Sequence, residues 1–222
     1  IKVRASRNAV REAGIEPLRI AREAADAAGV PLMVHIGQPP PTLGEVLPLL
    51  RTGDILTHVY RGPVASILTR EGRVRPDVLE ARARGIFMDV GHGVGSLDFR
   101  VARRALEQGF PPDSISTDLH LLNVQGPVYD LVTTLSKFWH LGLALEEVLA
   151  AATAGPARAL RQEGILGTLR EGAQGDVTLL AVEEGRFSFR DAVGQELVGD
   201  RRLVAKGMAV AGRWIPAKEA QP

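Results

Sequence analysis

Pro31-Leu-Met-Val-His35-Ile36 and Asp54-Ile-Leu-Thr-His58 decide the reading of this chain, because each is a short apolar run with a histidine at its end. Gly37 and three prolines close the first run and Gly53 opens the second, so both are too short for helices and read as buried strands. Helix patterns fill the intervals. Residues 15–28 place Leu18, Ala21, Ala25 and Ala28 on one face and Arg19, Arg22, Glu23 and Asp26 around the other, and Gly29 stops the helix. Thr42 caps a helix running to Leu50, with Glu45 at the spacing of a capping box. Residues 76–84 form a helix opened by Pro76, followed by the strand Ile86-Phe-Met-Asp89. Ser96 caps a helix over 97–108, Ser114-Ile-Ser-Thr-Asp118 is a further strand, and helices over 128–141 and 145–160 close the region. Strands alternating with helices imply parallel βαβ units.

Chemistry-bearing residues recur at the ends of these runs. Lys2 stands 33 residues before His35, His35 stands 23 before His58, and His58 stands 60 before Asp118, an interval divided by the strand ending at Asp89. A (β/α)₈ barrel of about 250 residues allots about 31 to each unit and carries its chemistry where strands end. The expected fold is therefore α/β, the second half of a TIM barrel over 1–163. From about Arg161 the character changes. Gly164, Gly167, Gly172, Gly175, Gly185, Gly194, Gly199, Gly207 and Gly212 punctuate short apolar runs, the pattern of antiparallel hairpins. Residues 164–222 are expected to form part of a small β-sandwich of about five strands, whose partner strands come from elsewhere.

Composition excludes more than it names. Of 222 residues, 24% are charged and the net charge is +1, so no surplus of charge marks a nucleic-acid or membrane-surface binder. There is no cysteine, which removes disulfides and thiolate metal sites and leaves His, Asp, Glu or a modified Lys as ligands. A reducing, cytoplasmic setting is expected. No run approaches the roughly 18–20 apolar residues of a membrane span, and Ile1-Lys-Val-Arg4 lacks the apolar stretch of a signal peptide. The chain opens without Met in what reads as the tail of a strand, so an amino-terminal portion is expected beyond it.

Taken singly, His35 or His58 reads as a packing or loop histidine. Ending consecutive strands, the two aim their imidazoles into one mouth, and neutral imidazole nitrogen is a common zinc ligand. Asp118 reads either as a turn acid or, at the end of a barrel strand, as a metal ligand and base. Position alone assigns nothing to Lys2. His92, between Gly91 and Gly93, either contacts a substrate or its oxyanion or caps a turn. Tyr60 and Arg61 follow His58 and are candidates for a substrate carboxylate, Arg61 reading equally as a surface charge. His120 and Asn123 are expected near the mouth, and His140, inside a helix, is structural.

Five motifs in this order carry a family resemblance: Ile1-Lys-Val-Arg4, Val34-His-Ile-Gly37, Leu56-Thr-His-Val-Tyr-Arg-Gly62, Met88-Asp-Val-Gly-His-Gly93 and Ser116-Thr-Asp-Leu-His120. They resemble the amidohydrolase superfamily, and more closely its dihydroorotase-related amidohydrolase/deacetylase branch. Ala152-Thr-Ala-Gly-Pro-Ala-Arg-Ala-Leu160 and the segment 164–180 resemble that family's return from barrel to sandwich. The resemblance implies barrel strands four to eight, with Lys2 matching a carboxylated lysine that bridges two divalent metals, expected to be zinc. His35 and His58 match the histidines of strands five and six, and Asp118 the aspartate of strand eight. The histidine pair of the family's first strand does not occur here, so the chain is expected to be the carboxy-terminal portion of a longer enzyme. The implied activity is metal-dependent hydrolysis of an amide or ester bond in a small acylated substrate. Asp118 acts as base and then acid, with His92 and Arg61 as substrate contacts. A homo-oligomer is expected, with no nucleic-acid or membrane partner. The alternatives are a cyclic amidase of dihydroorotase or hydantoinase type, and an inactive homologue serving as a binding or scaffold protein.

Overall fold

Strands β1 (Lys2–Ala5), β2 (Met33–Ile36), β3 (Ile55–Thr57) and β4 (Phe87–Asp89) form a parallel sheet in chain order, in a computed structural model that describes residues 1–217. Arg4 lies level with His35, and His35 level with Thr57. Helices α1 (Arg7–Val10), α2 (Glu16–Ala28), α3 (Leu43–Val46), α4 (Pro76–Ala83), α5 (Phe99–Leu106), α6 (Leu131–Leu141), α7 (Leu145–Ala152) and α8 (Ala154–Ala159) complete this part. Val34 and Ile36 are buried on one face of β2, while Met33 and His35 take the other, as the period of two requires. The βα alternation with its parallel sheet is part of a TIM barrel.

The local signals mostly act where the sequence puts them. Gly29 adopts φ 65° and its N–H closes α2 onto the Ala25 and Asp26 carbonyls. The Thr42 and Glu45 side chains bond each other's backbone N–H groups reciprocally at the start of α3. Three expectations change. Asp98, not Ser96, caps α5, accepting from the Arg100 N–H, because Ser96 instead accepts from Arg61 and Leu97 is buried. The helix expected over 145–160 breaks at Thr153 (φ −126°, ψ −81°), where Gly167 packs so close that a Cβ would stand 2.4 Å from the Thr153 carbonyl. The expected strand 114–118 makes only one ladder bridge, Ser114 with Asp89, and continues alongside through bonds from His92 N–H to Ser116 O and from Gly93 N–H to Thr117 O.

A further correction concerns Lys2, which begins β1 rather than ending a strand. Arg22, expected on the solvent face of α2, turns inward and pairs with the buried carboxylate of Asp54, which also accepts the Leu32 and Arg51 N–H groups. Breaking a buried pair by removing one partner costs about 3–5 kcal/mol, because the other charge is left stranded. Asp54→Ala is therefore expected to lower unfolding stability by about that amount, read by chemical denaturation.

Among the described residues the antiparallel part has two long strands and one short strand rather than about five: β5 (Val177–Arg190), β6 (Glu196–Val210) and the four-residue β7 (Arg213–Pro216), in that order. Several glycines taken for turns lie inside strands at close approaches. A Cβ on Gly199 would stand 2.3 Å from the His140 ring, and one on Gly207 2.3 Å from Trp214. The hairpin docks on α6: Leu203 N–H donates to Ser136 Oγ, and His140 Nε2–H to Arg201 O at 2.7 Å. Phe189 and Leu203 join the same apolar core as the parallel part. Among the described residues no helix is long and apolar enough to cross a membrane.

Candidate active site

His58 follows β3 directly at φ 73° and is wholly buried. Its Nδ1 lies 2.6 Å from the Gly91 carbonyl, which can only accept, so Nδ1 carries the hydrogen and Nε2 presents a lone pair. That lone pair faces Nδ1 of His35 at 2.7 Å, the two rings meeting edge to face. Parallel pairing of β2 and β3 sets His35 level with Thr57, one residue before His58, and this register brings the rings together. Burial, then the charges of His58, Arg4, Arg61 and Lys2, push His35 down to about 3. Burial also lowers His58, so both imidazoles are neutral near neutral pH.

Asp118 approaches the pair from the next segment. Its Oδ2 lies 3.8 Å from His58 Nε2 and its Oδ1 3.9 Å from Lys2 Nζ. The residue sits at φ 46°, its carbonyl accepting from Asn123 Nδ2 at 2.9 Å. The structure thus brings Lys2, His35, His58 and Asp118 to one mouth. Among the described residues no three His, Asp or Glu side chains converge tightly enough to hold a metal as they stand. The donor chemistry is nevertheless suited to a divalent cation: two neutral imidazoles held by burial, one with its lone pair oriented by a backbone carbonyl, and a carboxylate beside them.

The remaining candidates separate. Arg61 is partly buried and donates to Ser96 Oγ at 2.9 Å. His92 is wholly buried, with Nδ1 2.9 Å from Gly93 O and Nε2 2.8 Å from Lys137 Nζ, so both ring nitrogens are engaged inside the protein. The Tyr60 hydroxyl, also buried, donates to Phe110 O, away from the mouth. His140 stacks between Trp139 and Phe189, in the structural role expected of it. Sequence reasoning passed over Asp89 as more than a strand end. Its buried carboxylate accepts from Thr57, Ser114 and Ser116 hydroxyls at 2.6–2.8 Å and ties the ends of three neighbouring segments together. A carboxylate closing an apolar strand, with hydroxyls at the ends of the flanking strands, was the available signal.

Comparison with known proteins shows what a parallel βα sheet with histidines at its strand ends resembles here. No family model matches the chain. A deacetylase of Enterococcus faecalis is 36% identical over 208 residues, covering 91% of this chain and 56% of the relative. The crystal structure of an adenine deaminase superposes with a TM-score of 0.94 at 34% identity, covering 98% of this chain and 60% of that one. That of a dihydroorotase gives 0.87 at 33% identity, covering 97% and 56%. The chain belongs to the amidohydrolase superfamily, within its deacetylase and dihydroorotase-related branch. It spans little more than half the length of the relatives it matches.

Proposed function

We propose that this chain supplies the acid–base and part of the metal-holding apparatus of a hydrolase that cleaves the amide or ester bond of a small acylated compound. The observation that carries the reading is the convergence of His35 Nδ1 and His58 Nε2 at 2.7 Å, with the Asp118 carboxylate 3.8 Å from the latter. His35, His58 and Asp118 would hold a divalent cation, expected to be zinc, with a carboxylated Lys2 bridging to a second by family resemblance. When bound, the metal lowers the pKa of water and polarises the substrate carbonyl. The chain's own residues do the rest. Asp118 accepts the proton of the attacking water on its carboxylate and returns it to the leaving group, base and then acid. The Gly91 carbonyl fixes the His58 tautomer. Arg61, bonded to Ser96 Oγ, would meet an anionic group on the substrate. His92 has no ring nitrogen free for a substrate in this arrangement.

The three relatives are named a deacetylase, an adenine deaminase and a dihydroorotase, and the deacetylase supports a linear acyl substrate. The dihydroorotase, at 33% identity, favours the ring-amide alternative strongly enough to test beside it. Residues 1–163 would belong to the barrel and 164–217 to the sandwich, the last residues of the expected 164–222 lying outside the described residues. The enzyme would act in the cytoplasm as a homo-oligomer on a small molecule, without nucleic acid or membrane. The test is a panel of N-acetyl, O-acetyl and cyclic-amide compounds offered to the full-length protein before and after chelation. The expected result is hydrolysis of a linear acyl compound, abolished by chelator and restored by zinc. Turnover of ring amides alone selects the alternative. A metal-replete protein that hydrolyses none of them contradicts the proposal.

A further inference from the structure

Lys137 on α6 is wholly buried, yet its ammonium faces a neutral ring and a carbonyl rather than a carboxylate: His92 Nε2 at 2.8 Å and Pro127 O at 2.5 Å. Taking an ammonium out of water is costly even after relaxation, so such a group is kept for a reason. An ammonium can only donate, so His92 Nε2 accepts, and its Nδ1 carries the hydrogen given to Gly93 O. Burial pushes His92 down to about 4 and Lys137 down to about 8, the latter against the charges of Asp191 and Asp130. Neutral ring and charged donor thus coexist at neutral pH.

His92 stands in the middle of a segment that touches both principal site residues. On one side, Gly91 O accepts from His58 Nδ1, and a Cβ on Gly91 would lie 2.7 Å from that nitrogen. On the other, a Cβ on Gly93 would lie 3.1 Å from Asp118 Oδ2. Both glycines have positive φ, 48° and 55°, and their N–H groups bond Ser116 Oγ and Thr117 O. The segment is a backbone spacer between His58 and Asp118, and the one side chain it carries, that of His92, is bonded to Lys137.

We infer that Lys137 is a positioning residue: by donating to His92 Nε2 it fixes the Gly91–Gly93 spacer against which His58 and Asp118 are set. This rests on reading His35, His58 and Asp118 as the hydrolytic site. Outer partners of metal-binding groups typically matter by about 10–100-fold in metal affinity or activity.

The experiment compares full-length wild type with Lys137→Met, which keeps the apolar stem without a donor, and Lys137→Gln, which keeps a neutral donor. Histidine-ring NMR of the metal-free proteins, competitive zinc titration and thermal unfolding are read together. In Lys137→Met we expect the His92 tautomer signature to change, the His58 ring N–H to exchange faster, and zinc affinity to fall about 10–100-fold. Lys137→Gln should lie between, whatever the order of unfolding temperatures. Unchanged His58 signals in both variants, or zinc affinity that tracks only the unfolding temperature, overturns the inference. The ring signals need neither metal nor substrate, so a wild type that binds no zinc would contradict the proposed function while the positioning role is still decided.

Discussion

Asp118→Asn is expected to lower kcat by about 10²–10⁴, at or beyond the top of that range, while much of the bound metal stays. Asparagine keeps the size and one oxygen but cannot accept and return a proton near neutral pH. The fold should tolerate the change, because position 118 has φ 46°, a left-handed conformation that Asn adopts readily, and its carbonyl keeps the bond from Asn123. The acid–base contribution is one part of the loss. The weakened contact with the cation is the other, since Oδ2 stands 3.8 Å from the His58 lone pair. Steady-state kinetics on the best substrate of the acyl panel reads both. A kcat within a factor of about three together with a raised KM would make Asp118 a substrate-binding group and defeat the mechanism.

The second large effect is at His58. Replacing this buried ring with Ala leaves the Gly91 carbonyl and His35 Nδ1–H without their partner, at about 1–3 kcal/mol for each buried polar group. It also puts a residue less suited to φ 73° at that position. His58→Asn avoids the backbone strain while still removing the imidazole. Both variants should lose the ion, and Ala should lose more stability, read by denaturation. A pH dependence accompanies this. His35 is pushed down to about 3 and His58 is lowered as well, so the unfolded chain binds protons first. Their stabilisation is present above about pH 6.5 and is lost as pH falls through the folded values towards about 3. His58→Asn should flatten that acid limb.

How much of this was legible follows from the physics of each signal. The runs ending at His35, His58 and Asp89 were readable because short apolar segments bounded by Gly and Pro leave few alternatives to a buried strand. Gly29 and the Thr42–Glu45 pair were readable because capping is a local chemistry. Arg22 was misplaced because helical periodicity says which side faces solvent but not that Asp54, 32 residues away, would draw a guanidinium inward. The number of antiparallel strands was overestimated because Gly199 and Gly207 mark places where an aromatic ring lies on the backbone, a tertiary fact that looks in sequence like a turn. At the site, the meeting of His35 with His58 could be anticipated from consecutive strand ends. The engagement of His92 could not. Its partner Lys137 lies 45 residues on, beside Ser136 in the mixed sequence of α6, where a lone lysine is easily taken for a surface charge.

The central claim is that the two facing imidazoles form a metal-holding pair, and metal content tests it most directly. Full-length wild type and His58→Asn, reconstituted with zinc and freed of loose ions, are compared by elemental analysis, with zinc-edge X-ray absorption on the wild type. The account predicts stoichiometric zinc in the wild type, bound by imidazole nitrogen and oxygen at about 2.0–2.2 Å, and a clear loss of zinc in the variant. Equal zinc in both proteins, or none in the wild type, would contradict it.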